Sequence, residues 1–202
     1  MRRILWDVDT QVDFVLADGK LAVPDAPAAI PAMARLVAAA RAAGIPHVAS
    51  ADDHELTDSE LSEAPDYSTT YPPHCLRGTR GAEKIPETRQ EDPVPLALTE
   101  VPEHWLQGRE FLLLKKSFDV FTNRNADRLL SLLDPDEVIV FGVATDVCDD
   151  AAIRGLLERG RTITFVEEAS RGLDEARTER CLASWREAGA RFASVDEVVS
   201  GL

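Results

Sequence analysis

From Glu110 onward the chain alternates short apolar runs with longer amphipathic stretches: EFLLLKK, NADRLLSLL, DEVIVFGV, DVCDDAAIRGLLERG, RTITFVEEA, LDEARTERCLASWREAG and RFASVDEV. Few patterns restrict a fold as tightly. The short runs are too uniformly apolar for half-solvated strands and need cover on both faces, which the intervening stretches, with the length of helices, supply. Strand and helix in repeated succession build parallel pairs joined by crossovers. The expected class is α/β: a single-domain, doubly wound, mainly parallel sheet of about six strands with helices on both faces. Upstream, residues 3–9 read as a strand, 25–43 as an Ala-rich helix ended by Gly44, and IPHVASA as a second strand.

One segment breaks the alternation. From Asp52 to about Arg109 the chain is rich in Pro, Asp, Glu, Thr and Gly, with little periodicity and a Pro72-Pro73 pair. Loops this long in a compact domain are usually functional, and the aromatic and histidine content favours an ordered cover over a site. With 202 residues, 45% of them hydrophobic, and no break in composition, residues 1–202 read as one domain carrying that excursion. A net charge of -14 and a pI near 4.7 oppose binding to nucleic acid or an anionic membrane. No stretch of about 18 apolar residues is present, and MRRILWDVDTQ is interrupted by Asp7 and Asp9, so a cytoplasmic protein is expected. Three cysteines, Cys75, Cys148 and Cys181, read as free thiols. No G-x-G-x-x-G follows the first strand, which argues against a nucleotide cofactor.

In open parallel sheets, sites gather outside the C-terminal ends of the strands. Those ends carry Asp9, then Asp52 and His54, then Lys115, then Cys148. Each has an ordinary reading alone, as a cap, a solvated charge or a packed thiol. Together they bring an acid, a cation and a thiol to one edge. Cys148 is hemmed by Asp146, Asp149 and Asp150, which should discourage a thiolate. Its place in a helix's first turn, with a lysine across the cleft, is expected to favour one, the acids serving as helix-starting residues. Asp7 shares a strand face with Asp9 and, if buried, needs a partner or a proton.

The motifs D-T-Q-V-D-F (9–14), K-K-S-F-D-V-F (115–121) and G-V-A-T-D-V-C (142–148) stand in this order along the chain. In them the sequence resembles the isochorismatase-like cysteine hydrolases, particularly their nicotinamidase branch, over nearly its whole length. The resemblance implies the fold of that family and assigns Cys148 as nucleophile, Asp9 as general base and Lys115 as the cation holding the pair. It also implies an oxyanion hole from the backbone N–H groups of Ala144 and Cys148, and a non-proline cis bond between Val143 and Ala144. D-D-H (52–54) and P-D-Y-S-T-T-Y-P-P-H-C (65–75) are similar to the nicotinamidase metal segment, implying a divalent metal on Asp52, His54 and His74, zinc first, with manganese or iron as alternatives. Where that branch tends to place another histidine, this chain offers Glu60. Phe14 and Tyr71 match positions flanking a flat substrate. In place of Asp7 the family usually has an apolar residue. The implied activity is hydrolysis of a small planar amide, nicotinamide or a relative, through a Cys148 thioester, in a homo-oligomer (dimer or tetramer). The alternatives are an isochorismatase-type vinyl-ether hydrolase and a catalytically silent binding protein.

Overall fold

The computed structural model describes residues 1–202. Seven parallel strands form one sheet in the order β3-β4-β2-β1-β5-β6-β7. They are β1 (Arg3–Val8), β2 (His47–Asp52), β3 (Val94–Leu96), β4 (Glu110–Lys115), β5 (Glu137–Val143), β6 (Thr162–Arg171) and β7 (Arg191–Phe192). The helices are α1 (Val12–Val15), α2 (Ala26–Ala43), α3 (Arg124–Leu133), α4 (Cys148–Glu158), α5 (Glu175–Glu187) and α6 (Val195–Gly201). None is long and apolar enough to cross a membrane.

Period-two alternation along β1 divides the interior. Ile4, Trp6 and Val8 join Leu129 of α3, Ile153 and Leu156 of α4 and Trp185 of α5 in one core; Leu5 joins Met33 and Leu36 of α2 and Val195 of α6 in the other. The sheet is therefore covered on both faces, as the uniformly apolar strands require. Gly142 permits the closest approach between neighbours. A Cβ there would lie 2.1 Å from the Val8 carbonyl oxygen, and its φ of 144° lies outside the range that L side chains favour.

The strand count differs from the expected six by β3, which forms inside the excursion. Val94-Pro95-Leu96 has no readable period, and its proline fits only an edge strand, which β3 is, beside β4. RFASVDEV also departs from a simple strand. Only Arg191–Phe192 pairs with β6, and Ser194 then starts α6 through a capping box with Glu197.

Candidate active site and metal centre

Asp52 and Lys115 end adjacent strands in register, β2 and β4. Asp9 follows β1 with a φ of 49°, a left-handed backbone that non-glycine residues rarely adopt. Cys148 opens α4 just after β5 and the cis Val143–Ala144 bond. Four strand ends thus deliver four side chains to one point, at the C-terminal edge. Lys115 Nζ lies 2.8 Å from Asp9 Oδ2, 2.5 Å from Asp52 Oδ1 and 3.8 Å from Cys148 Sγ. All four residues are buried. Lys116, on the opposite strand face, instead pairs with Asp58 at 2.8 Å.

Burial alone would depress the Lys115 ammonium, yet the carboxylates of Asp52 and Asp9 hold its pKa well above the ordinary lysine value. Burial would raise Asp52 too, but Lys115 with His54 and His74 keeps it well below the usual carboxylate range. For Asp9, burial and the nearby Asp52 charge outweigh Lys115 and push the carboxyl upward. The Cys148 thiol is pushed well up, by burial first and then by Asp9, Asp52 and Glu60 against Lys115. This corrects the expectation of a resting thiolate. A helix terminus and one lysine do not offset burial among three carboxylates, so the thiol keeps its proton until a base removes it.

Two of the acids around Cys148 are engaged elsewhere. Asp146 accepts from the backbone N–H of Leu173 at 2.7 Å and meets Arg177 at 3.0 Å, while Asp150 accepts from Arg154 and from the Trp185 indole, each at 2.8 Å. Asp149 is buried with both oxygens unpartnered, and burial together with Asp9 raises its pKa well above the carboxylate range. The backbone N–H groups of Ala144 and Cys148 donate to no other backbone group, and both residues line the slot described below.

The second cluster abuts the first. One ligand atom from each of Asp52, His54, Glu60 and His74 lies within 4.8 Å of the others, all four residues buried. His74 Nδ1 donates to the Pro72 carbonyl at 2.7 Å, and His54 Nδ1 sits 3.2 Å from Asp58 Oδ2, so both rings turn Nε2 inward. His74 Nε2 is 3.4 Å and His54 Nε2 3.8 Å from Asp52 Oδ2. His54 Nε2 and Asp52 Oδ2 are buried with no hydrogen-bond partner. Two orphaned polar atoms at the focus of two imidazoles and two carboxylates fit a divalent cation. Glu60 Oε2 accepts from the Phe118 N–H at 2.7 Å while its other oxygen faces His54 at 3.9 Å, so Glu60 turns one oxygen toward the imidazoles.

A narrow, nearly closed slot is lined by Cys148 and Ala144 together with Asp52, Glu60 and His74. Phe14, Leu21, Tyr71, Val147 and Leu173 make the remainder apolar. Phe14 tilts against His74 with centroids 5.1 Å apart, and Tyr71 meets His74 edge-on at 6.4 Å. The structure thus brings Asp9, Lys115 and Cys148 together, sets Asp52, His54, Glu60 and His74 beside them, and lines the slot with Ala144, Phe14 and Tyr71.

Several supporting residues escaped sequence reading. Gln11 binds the Asp52 backbone twice, at 2.8 and 2.7 Å, and Asp13 accepts from the Cys75 N–H at 2.7 Å, anchoring the turn that carries His74. Both lie in D-T-Q-V-D-F, whose third and fourth polar residues were the available signal. Asp7 has its partners: Lys84 Nζ at 2.8 Å, the Thr10 hydroxyl at 2.8 Å and His47 Nε2 at 3.4 Å. Burial works against its charge, but Lys84 and His47 hold its pKa below the ordinary value.

Residues 4–197 match the isochorismatase domain. The nicotinamidase/pyrazinamidase of Mycobacterium tuberculosis (strain H37Rv) is 32% identical over 166 residues, covering 78% of this chain and 82% of that one. The nicotinamidase of Escherichia coli (strain K12) is 28% identical over 192 residues, covering 85% and 84%. Among solved structures, the pyrazinamidase of Pyrococcus horikoshii in complex with zinc superposes with a TM-score of 0.77 at 22% identity, over 96% of this chain and 99% of that one, a likeness of fold. The chain belongs to the isochorismatase family of hydrolases, in its nicotinamidase-like branch.

Proposed function

We propose that the protein is a cysteine amidohydrolase that cleaves the C–N bond of a small planar amide, nicotinamide or a close relative, through a thioester on Cys148. The observation carrying this reading is the single buried ammonium of Lys115 bridging the Asp9 carboxylate and the Cys148 sulfur, beside a narrow slot whose lining is mostly apolar. The relatives named for nicotinamide and pyrazinamide hydrolysis support the substrate class.

The resting thiol is protonated, so attack requires a base, and the raised pKa of Asp9 suits it to accept that proton. As Sγ bonds to the amide carbon, the proton passes to Asp9 and the carbonyl oxygen becomes an oxyanion facing the N–H groups of Ala144 and Cys148. Asp9 then returns the proton to the departing nitrogen, the C–N bond breaks, and ammonia leaves a thioester. Water adds to the thioester, giving a proton to Asp9. Collapse expels the sulfur, which recovers that proton, and the carboxylic acid is released. Lys115 keeps its charge throughout and holds Asp9 and the sulfur in register.

Asp52, His54, Glu60 and His74 would hold the metal, for which zinc is proposed, with manganese or iron suited to the harder glutamate ligand. A divalent ion held there would supply Lewis acidity toward a ring nitrogen or a water. Phe14 and Tyr71 offer aromatic surface to a flat ring.

The deciding assay is ammonia release from nicotinamide by the metal-loaded protein and by Cys148→Ala. Wild-type turnover falling to background in the variant, at unchanged melting temperature, is expected; equal release from both would end the thioester reading.

A further inference from the structure

Next to the turn that carries Asp9 lies a buried polar cluster with no part in the steps above. Asp7, Thr10 and Thr88 are fully enclosed and Lys84 nearly so. Asp7 is ionised beside Lys84, so it only accepts hydrogen bonds. The Thr10 hydroxyl, 2.8 Å from Asp7 Oδ1, must therefore donate to it, and Thr88 must donate to Thr10 across their 2.6 Å contact. The donors and acceptors form an ordered chain.

The cluster joins two parts of the molecule. Asp7 and Thr10 flank the turn that presents Asp9 at positive φ, closed by Gln11 N–H to the Asp9 carbonyl at 2.6 Å. Lys84 and Thr88 belong to the excursion, which runs against that turn. Val12 N–H donates to the Glu83 carbonyl at 2.9 Å, Ile85 N–H to the Thr10 carbonyl at 3.0 Å, and Gln11 Nε2 to the Ala82 carbonyl at 2.8 Å. Lys84 Nζ also reaches the Ser50 carbonyl at 3.4 Å, and the Ser50 hydroxyl donates to Asp9 Oδ1 at 2.7 Å. Asp9 is thus gripped on one oxygen by Lys115 and on the other by Ser50, while its backbone is pinned on both sides.

We propose that Asp7, Lys84, Thr10 and Thr88 form a clamp that positions the Asp9 carboxylate, coupling the seating of the excursion to the competence of the base. The clamp rests on the assignment of Asp9 as the base for Cys148. Its members touch neither substrate nor sulfur, so they are positioning residues. The conformation they hold is one that the Asp9 backbone would otherwise leave.

The test uses the full-length, metal-loaded protein. Removing one charge would strand the other in the interior, so Asp7→Leu and Lys84→Met are made together. Three quantities are read: the melting temperature, kcat and KM for nicotinamide, and the rate of Cys148 alkylation by iodoacetamide followed by peptide mass spectrometry, with Cys181 as internal reference. Because misplacement by an ångström from a remote change costs up to about 100-fold, we expect kcat and Cys148 alkylation to fall about tenfold, with KM within about twofold. Lys84→Arg, which keeps the cation, should retain most of both rates. A folded double variant with wild-type kcat and wild-type Cys148 alkylation overturns the clamp. If the double variant does not fold, Thr88→Val decides: about a threefold loss in both rates supports the clamp, and unchanged rates refute it. Failure of the wild type to hydrolyse nicotinamide would count against the amidase reading alone, since alkylation needs no substrate.

Discussion

Residues 110–202 and the excursion at 53–109 meet at the same slot but are held there by different forces. The first region is built of strands and helices that bury apolar side chains on both faces of the sheet. The excursion contributes only Leu96 and Leu106 to one core and Cys75 and Ile85 to the other. It is fastened instead by polar side chains on backbone. Asp66 collects the N–H groups of Ser68, Thr69 and Thr70, Asn125 donates to the carbonyls of Ala97 and Thr99, and Gln90 donates to that of His47. Apolar burial is lost cooperatively, whereas individual hydrogen bonds yield locally. The division follows the chemistry. Lys115 and Cys148 stand on scaffold strands and helices, while His54, Glu60 and His74 are carried by the excursion. The two sets still meet: Asp52 serves both, and Glu60 is among the charges that raise the Cys148 thiol.

The sharpest way to break this separation is Lys115→Met. The ammonium is the one cation between Asp9 and Asp52, and without it two carboxylates face each other in the interior. Loss of a buried pair's partner costs about 3–5 kcal/mol, so the urea midpoint should drop steeply, and ammonia release should fall at least about 1,000-fold with the base no longer held. A Lys115→Met protein with near-native stability and turnover would show that the scaffold does not supply the chemistry.

A smaller effect is expected from the excursion. His54→Ala with His74→Ala removes both imidazoles from the four-ligand set, and elemental analysis should find the metal reduced to background. Turnover should fall at least about 100-fold, while the metal-free melting temperature stays within a few degrees of the metal-free wild type, because little core is touched. A collapse in stability comparable to that of Lys115→Met would mean that the excursion is part of the scaffold.

The two regions also differed in how far the sequence revealed them. Cys148, Asp9 and Lys115 were legible because parallel strands place their C-terminal ends at a known edge, and the resemblance, through its spacing to Phe121, selects Lys115 over Lys116. The metal residues were found through short motifs, since aperiodic chain gives no other bearing. What could not be read depended on pairing across the chain or on the field inside the protein. Lys84 looks like one more charge in a Gly- and Pro-rich stretch, and only folding sets it against Asp7. The protonated thiol follows first from burial and then from three carboxylates drawn from separate segments, against Lys115. Strand β3 is too short to show a period, whereas the Ser194 and Glu197 capping box was present in the letters and outlines a helix.

Asp149 sharpens the comparison within the scaffold, as a buried carboxylic acid on α4 with neither oxygen partnered. Its pKa is raised well above the ordinary carboxylate value of 3.8, by burial and then by the charges of Asp9, Asp146 and Asp7, with Thr145 opposing. The folded protein therefore holds a proton that the unfolded chain releases above pH 4. Between the unfolded and folded pKa values the unfolded state binds fewer protons, so stability falls as pH rises, by at most about 1.4 kcal/mol per pH unit from this group. Asp149→Val removes the titration and fills similar space with apolar atoms. Thermal melts should show the variant gaining about 1–2 kcal/mol over wild type at pH 7.5, with the advantage shrinking as the pH falls toward 4, where the unfolded wild-type acid begins to take up its proton too. An advantage that is the same at both pH values would mean better packing alone, and a loss at pH 7.5 would mean that the carboxyl is satisfied in solution and belongs with the polar fastenings of the excursion.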